Sequence, residues 1–289
     1  MNTELWNIEV EKDFFIKAIS EGFATKNDLF YKFNDEYYVY ICKGQQNNGQ
    51  TLQSRNYLIG EYTETWCTNL LQPIAKKFNL FAVKGVVCPS IGLTNKSAAD
   101  IAFCTEDSIN QEAANIKLII EIKMSIVNNY KLTKDNELEY IGDYRSHKGN
   151  PSLLRSDSML KAIGKAINIR VSGVESANIP IIIIGISPIT MSYIHKVDFL
   201  KTAGVIQGMY SLYPNPTSGE YNHQSPKQGF ITIEEIGYFE KLLAEIIHSP
   251  LNYFSSMLSK PRLGEIIAIS SRESTEIAKA EKFLELIRG

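Results

Sequence analysis

The segment IPIIIIGIS, residues 179–187, places the first constraint on the fold. Four consecutive isoleucines leave no polar alternation, so neither face of the strand they predict can turn to water. Pro180 and Gly185 hold the run to strand length rather than helix length. A strand buried on both faces needs helices above and below its sheet, which predicts an α/β architecture.

The remaining periodicities fit around that strand. Apolar residues at positions 67, 70, 71, 74 and 78 give one face of a helix over 61–78, with a kink or a restart expected at Pro73. LFAVKGVVC (80–88), AADIAFC (98–104) and IKLIIEIKMSI (116–126) read as three strands. SDSMLKAIGKAINIRV (156–171) reads as a helix whose apolar stripe is Leu160, Ile163, Ile167 and Val171. The order is helix, three strands, helix, strand. Residues 127–155 read as a long polar connection and 208–230 as a loop-rich stretch. A helix over 1–20 and a hairpin near 36–44 precede this core, and further helices follow it. The expected division is a helical and hairpin extension over 1–55, a core over 56–190, and a C-terminal region over 191–289 packed on the core as one domain.

Composition narrows the class. With 289 residues, 44% hydrophobic and 21% charged, the chain can bury a large core. A formal net charge of −2 neither demands nor excludes a nucleic-acid partner. The first residues lack the basic and apolar regions of a signal peptide, and no apolar run approaches membrane-spanning length. The four cysteines are widely separated, which argues against a zinc cluster and for buried thiols. A cytoplasmic protein without membrane contact is expected. No phosphate-binding G-x-x-x-x-G-K-[ST] loop and no G-x-S-x-G element is present.

KLIIEIKMSI, residues 117–126, carries the chemistry. Along a strand, Leu118, Ile120, Ile122, Met124 and Ile126 share one face while Glu121, Lys123 and Ser125 share the other. In the preceding strand Asp100 shares a face with Ala102 and Cys104. If the two strands pair with these faces together, Asp100, Glu121 and Lys123 meet on a mostly apolar sheet. A structural ion pair is the plain alternative. Charges beside a buried strand are costly unless they are paired or bind a metal. Two carboxylates suit Mg²⁺, and a lysine beside its water suits phosphodiester hydrolysis.

Asp100 followed by Glu121-Ile122-Lys123, in a helix–strand–strand–strand–helix–strand order, resembles the PD-(D/E)xK nuclease superfamily, and most closely its type II restriction endonucleases. The proline that commonly precedes the aspartate is replaced by Ala99. The resemblance covers about residues 56–187. It implies a restriction-endonuclease-like core with a mixed central sheet and Mg²⁺-dependent, sequence-specific cleavage of double-stranded DNA. It also implies metal ligands at Asp100, Glu121 and the Ile122 carbonyl, with Lys123 near the attacking water. Members often add an acid from the helix before the strands. Here Glu61 and Glu64 are the candidates, and Glu64 shares the stripe of Cys67, Leu71 and Ile74.

A homodimer acting on palindromic sites, and a cognate DNA methyltransferase in the same system, would accompany such an enzyme. Candidate DNA contacts are Arg145, His147, Lys148, Asn150, Arg155, Lys161 and Lys165, with Lys161, Lys165 and Asn168 in one stripe opposite much of the apolar face of their helix; a plain solvated face is the alternative. The loop holding Tyr210, Tyr213, Tyr221 and His223 is a second candidate surface. The rival readings are a structure-selective repair or recombination nuclease and an inactive DNA-binding protein on the same scaffold.

Overall fold

The computed structural model describes residues 4–45, 52–249, 251, 253, 254 and 258–288. It divides into two compact units, Met1–Leu251 and Asn252–Gly289. The first unit opens with helix α1 (Ile8–Ser20), the short helix α2 (Lys26–Leu29) and a hairpin of β1 (Tyr31–Phe33) and β2 (Glu36–Tyr38). Helix α3 (Gln53–Lys77) leads into β3 (Phe81–Val86), β4 (Ala99–Cys104) and β5 (Ile116–Ile122). A second hairpin, β6 (Asn129–Leu132) and β7 (Leu138–Gly142), precedes α4 (Ser156–Ser172) and β8 (Ile181–Gly185). Helix α5 (Met191–Thr202), β9 (Gly208–Ser211), β10 (Phe230–Thr232) and α6 (Ile236–His248) complete it. The second unit holds α7 (Lys260–Ser270) and α8 (Glu276–Arg288).

The main sheet is six-stranded, in the order β10-β9-β8-β5-β4-β3. Strands β3, β4 and β5 are antiparallel neighbours, while β5, β8, β9 and β10 run parallel. It is therefore a mixed central sheet flanked by helices, and the fold is α/β. The isoleucine strand sits near its middle and divides its side chains between two cores. Ile182 and Ile184 join Ile101, Phe103, Leu118 and Ile120 in a layer with α1, α3 and α6. Ile181 and Ile183 join Ala102 and Ile119 in a layer with α4 and α5. A strand with water on neither face can carry isoleucine at successive positions, and this one does at four of its five.

Four sequence readings need correction. Residues 127–155 are not merely a polar connection: β6 and β7 lie there and join β1 and β2 in a four-stranded sheet ordered β1-β2-β6-β7. Partners more than ninety residues apart in sequence gave no local signal. Within 208–230, β9 supplies Tyr210 to the core, and Tyr213 just after it is also buried. Helix α3 continues through Pro73 as one helix without a restart.

The fourth correction concerns α4. Its buried face is Met159, Ala162, Ala166 and Ile169, whereas Leu160 is 62% exposed and Val171 69%. The helix is turned one residue, about 100°, from the face its largest apolar side chains would choose. Two alanines toward the sheet let the backbone of α4 lie close to it.

One buried carboxylate fixes the layer beyond β5. Glu11 on α1 accepts hydrogen bonds from the Trp6 indole, the amides of Val127 and Asn128, the Asn128 side chain and the Tyr130 hydroxyl. Burial raises its pKa despite these donors. A fully satisfied buried acid of this kind ties α1 to the chain leaving β5.

Candidate active site

Asp100 and Glu121 face each other because β4 and β5 pair antiparallel with Ile101 opposite Ile120. Both carboxylates emerge on the layer occupied by α4, in a surface otherwise made of Ala99, Ala102 and Ile119. Glu121 is fully buried. Lys123 follows one residue after β5, its amide still donating to the Ile184 carbonyl at 2.7 Å.

The four charges form a closed cluster. Lys123 Nζ lies 3.3 Å from Asp100 Oδ2, 3.2 Å from Glu121 Oε2 and 2.9 Å from the Ile122 carbonyl. Lys165 Nζ, arriving from α4, lies 3.4 Å from Asp100 Oδ1 and 2.5 Å from Glu121 Oε1, and donates to the Ala98 carbonyl. The Lys165–Glu121 contact is a close ion pair without the alignment of a hydrogen bond. The Ile122 amide donates to Asp100 Oδ2 at 2.7 Å.

The two acids respond differently to these surroundings. Burial pushes the Asp100 carboxyl up, but Lys123, Lys165 and the Ile122 amide outweigh it and hold its pKa below the usual range. Glu121 goes the other way, raised by burial and then by Asp100 despite both lysines. Burial alone would lower the Lys123 ammonium, yet Asp100 and Glu121 raise it, so it stays charged. Carboxylates with pKa values driven apart are a recurring property of acid–base sites.

Glu64 stands outside this cluster. It pairs with Lys84 of β3 at 3.3 Å, and Lys84 also reaches Glu61 at 3.1 Å. Burial and then the Asp100 charge raise the pKa of Glu64 despite the Lys84 ammonium beside it.

The candidate DNA contacts separate. Lys165 does not lie on a solvated face; it is part of the ion cluster. His147 is no surface donor either: it is buried, stacked on Tyr40 with ring centroids 3.9 Å apart. Its Nε2 lies 3.1 Å from the Val127 carbonyl, and its Nδ1 accepts from the Gly149 amide. Arg145, Lys148, Asn150, Arg155 and Lys161 are exposed. Arg145 is tied to the Glu220 carbonyl and Lys148 to that of Gln45, while Arg155 and Lys161 share Asp157.

Two further parts of the site carried no sequence signal. A cavity of about 530 Å³ opens beside Lys123, bordered by Tyr40, Arg55, Asn150 and Arg155. The Arg55 guanidinium is committed to the carbonyls of Leu29 and Val39, so it shapes the wall. Ser152, in the left-handed region at φ 51°, donates to the Lys123 carbonyl and accepts from the Ile186 amide. Its own amide donates to Ser125 Oγ at 2.8 Å. This turn holds the backbone on which Lys123 is mounted.

Among the described residues no three His, Cys, Asp or Glu side chains converge on one point. The donor set is two carboxylates and a backbone carbonyl. Oxygen donors of this kind suit a hard cation that keeps several waters. The Lys123 ammonium lies within 3.3 Å of all three oxygens, so they face one common point. Among the described residues no helix is long and apolar enough to cross a membrane.

No protein-family model, no curated protein and no solved structure matches this chain.

Proposed function

We propose that the chain is a Mg²⁺-dependent type II restriction endonuclease of the PD-(D/E)xK superfamily, hydrolysing phosphodiester bonds of double-stranded DNA at a specific sequence. The observation that carries this reading is the cation seat made by Asp100, Glu121 and the Ile122 carbonyl, filled by the Lys123 ammonium. The order α3-β3-β4-β5-α4-β8, with the β6–β7 hairpin inserted after β5, supports it, because it is the order expected for that superfamily and it delivers these residues to adjacent strands.

Asp100 and Glu121, with the Ile122 carbonyl, hold the ion. When bound, Mg²⁺ polarises the scissile phosphate and lowers the pKa of a bound water. Lys123 orients the attacking water and offsets the charge that grows on the phosphate. Glu64, paired with Lys84, contributes negative charge from the neighbouring layer. Asn150 and Arg155 line the cavity that leads from Lys123 and bind the DNA backbone there. Arg145, Lys148 and Lys161 extend that contact over the exposed surface. Recognition of a palindrome requires two such sites in a homodimer, and the host genome requires a cognate methyltransferase.

Incubation with plasmid and Mg²⁺ tests the reading. Discrete fragments are expected, and they should vanish with EDTA or with Asp100→Ala. Folded protein that cuts none of a wide set of DNA sources overturns it. Preferential cutting of branched DNA reassigns the site to a structure-selective nuclease.

A further inference from the structure

The two lysines of the cluster hold different oxygens. Lys123 takes Asp100 Oδ2, Glu121 Oε2 and the Ile122 carbonyl, the three proposed to ligate the ion. Lys165 takes the remaining oxygen of each carboxylate and the Ala98 carbonyl. Each ammonium therefore meets three oxygens, and two positive charges cancel two negative ones.

The two lysines also differ in freedom. Lys123 borders the 530 Å³ cavity and has space to swing aside, whereas Lys165 does not line it. Lys165 is held from α4 against Ala98, Asp100 and Glu121; the two side chains are almost equally buried, 15% exposed against 19% for Lys123, so it is the adjoining cavity that separates them.

We infer that Lys165 is an internal competitor for the divalent ion. It is a positioning residue that keeps Asp100 and Glu121 converged when no ion is present, and it raises the ion concentration at which the site fills. The inference rests on the nuclease reading for the class of ion, a hard divalent cation such as Mg²⁺. An ion seated on Asp100 and Glu121 is attracted by both carboxylates and repelled by any ammonium that stays. At a separation of a few ångströms in a buried site, that repulsion is poorly screened. Lys165 is the ammonium that stays.

The test is a calorimetric Mg²⁺ titration of the full chain and of Lys165→Gln and Lys165→Met, with Asp100→Asn as the ligand-deficient control. Circular dichroism and thermal melting report whether each variant folds, and the Gln variant keeps a donor for the Ala98 carbonyl. Both neutral variants are expected to bind Mg²⁺ at least tenfold more tightly than wild type, about 1.4 kcal/mol, and Asp100→Asn to lose binding. A purely structural lysine predicts the opposite, weaker ion binding together with a lower melting temperature. Unchanged or weaker binding by a folded variant overturns the inference, as does absence of Mg²⁺ binding in every chain. Tighter binding in the variants with no DNA cleavage by wild type sinks the nuclease reading and leaves this inference standing. Cleavage by wild type with unchanged affinity in the variants does the reverse.

Discussion

Protonating His147 would break the hydrogen bond its Nδ1 accepts from the Gly149 amide and bury a charge beside Tyr40. Burial accordingly lowers its pKa to about 4. The native value lies below the unfolded one, so the unfolded chain binds the proton first as pH falls. The stabilisation is complete above the unfolded pKa near 6.5 and is lost as pH drops toward 4. Denaturant unfolding should show about 2 kcal/mol less stability from this group at pH 5 than at pH 7.5. His147→Gln should flatten that part of the profile, and an unflattened profile would assign the acid sensitivity to other groups. In sequence, His147 looked like one more polar residue in a basic connection. Its burial depends on Tyr40, more than a hundred positions earlier, and no local pattern reports that. Asp100, Glu121 and Lys123 were legible for the opposite reason. Each breaks an apolar strand pattern, and strand alternation alone fixes the face each one takes.

Helix α4 shows where element-level reading succeeds and fails. Its boundaries follow from composition: residues 156–171 were expected and Ser156–Ser172 is observed. Its orientation does not follow, because a hydrophobicity pattern favours Leu160, Ile167 and Val171 while the packed face holds Ala162 and Ala166. Close helix–sheet approach selects small side chains over greasy ones. That same rotation carries Lys165 inward. Leu160→Lys and Val171→Lys are expected to shift stability by no more than about 0.5 kcal/mol. Ala162→Leu should cost about 1–3 kcal/mol through overpacking. Chemical denaturation measures both, and a reversed ranking would mean that α4 presents its other face to the sheet. The hairpin β6–β7 went unread because its partner β2 lies on the far side of α3, β3, β4 and β5 in the sequence.

At the scale of the molecule, both hydrophobic clusters are built from residues of the first unit. A chain ended after Leu251 is therefore expected to keep a cooperative thermal melt and the circular dichroism of the remaining elements. Loss of cooperativity in that shortened chain would show that α7 and α8 complete the core. The α/β class was readable from one isoleucine strand, while the six-strand width was not, since β9 and β10 are only four and three residues long. The charge balance between β4, β5 and α4 has a last consequence. Proteins that assemble their ligands around a metal unfold when a chelator strips it. Here each acid already has a basic partner from its own chain, so the polypeptide is expected to reach its native state without a divalent ion. A sample dialysed against chelator should therefore melt at the same temperature as an untreated one.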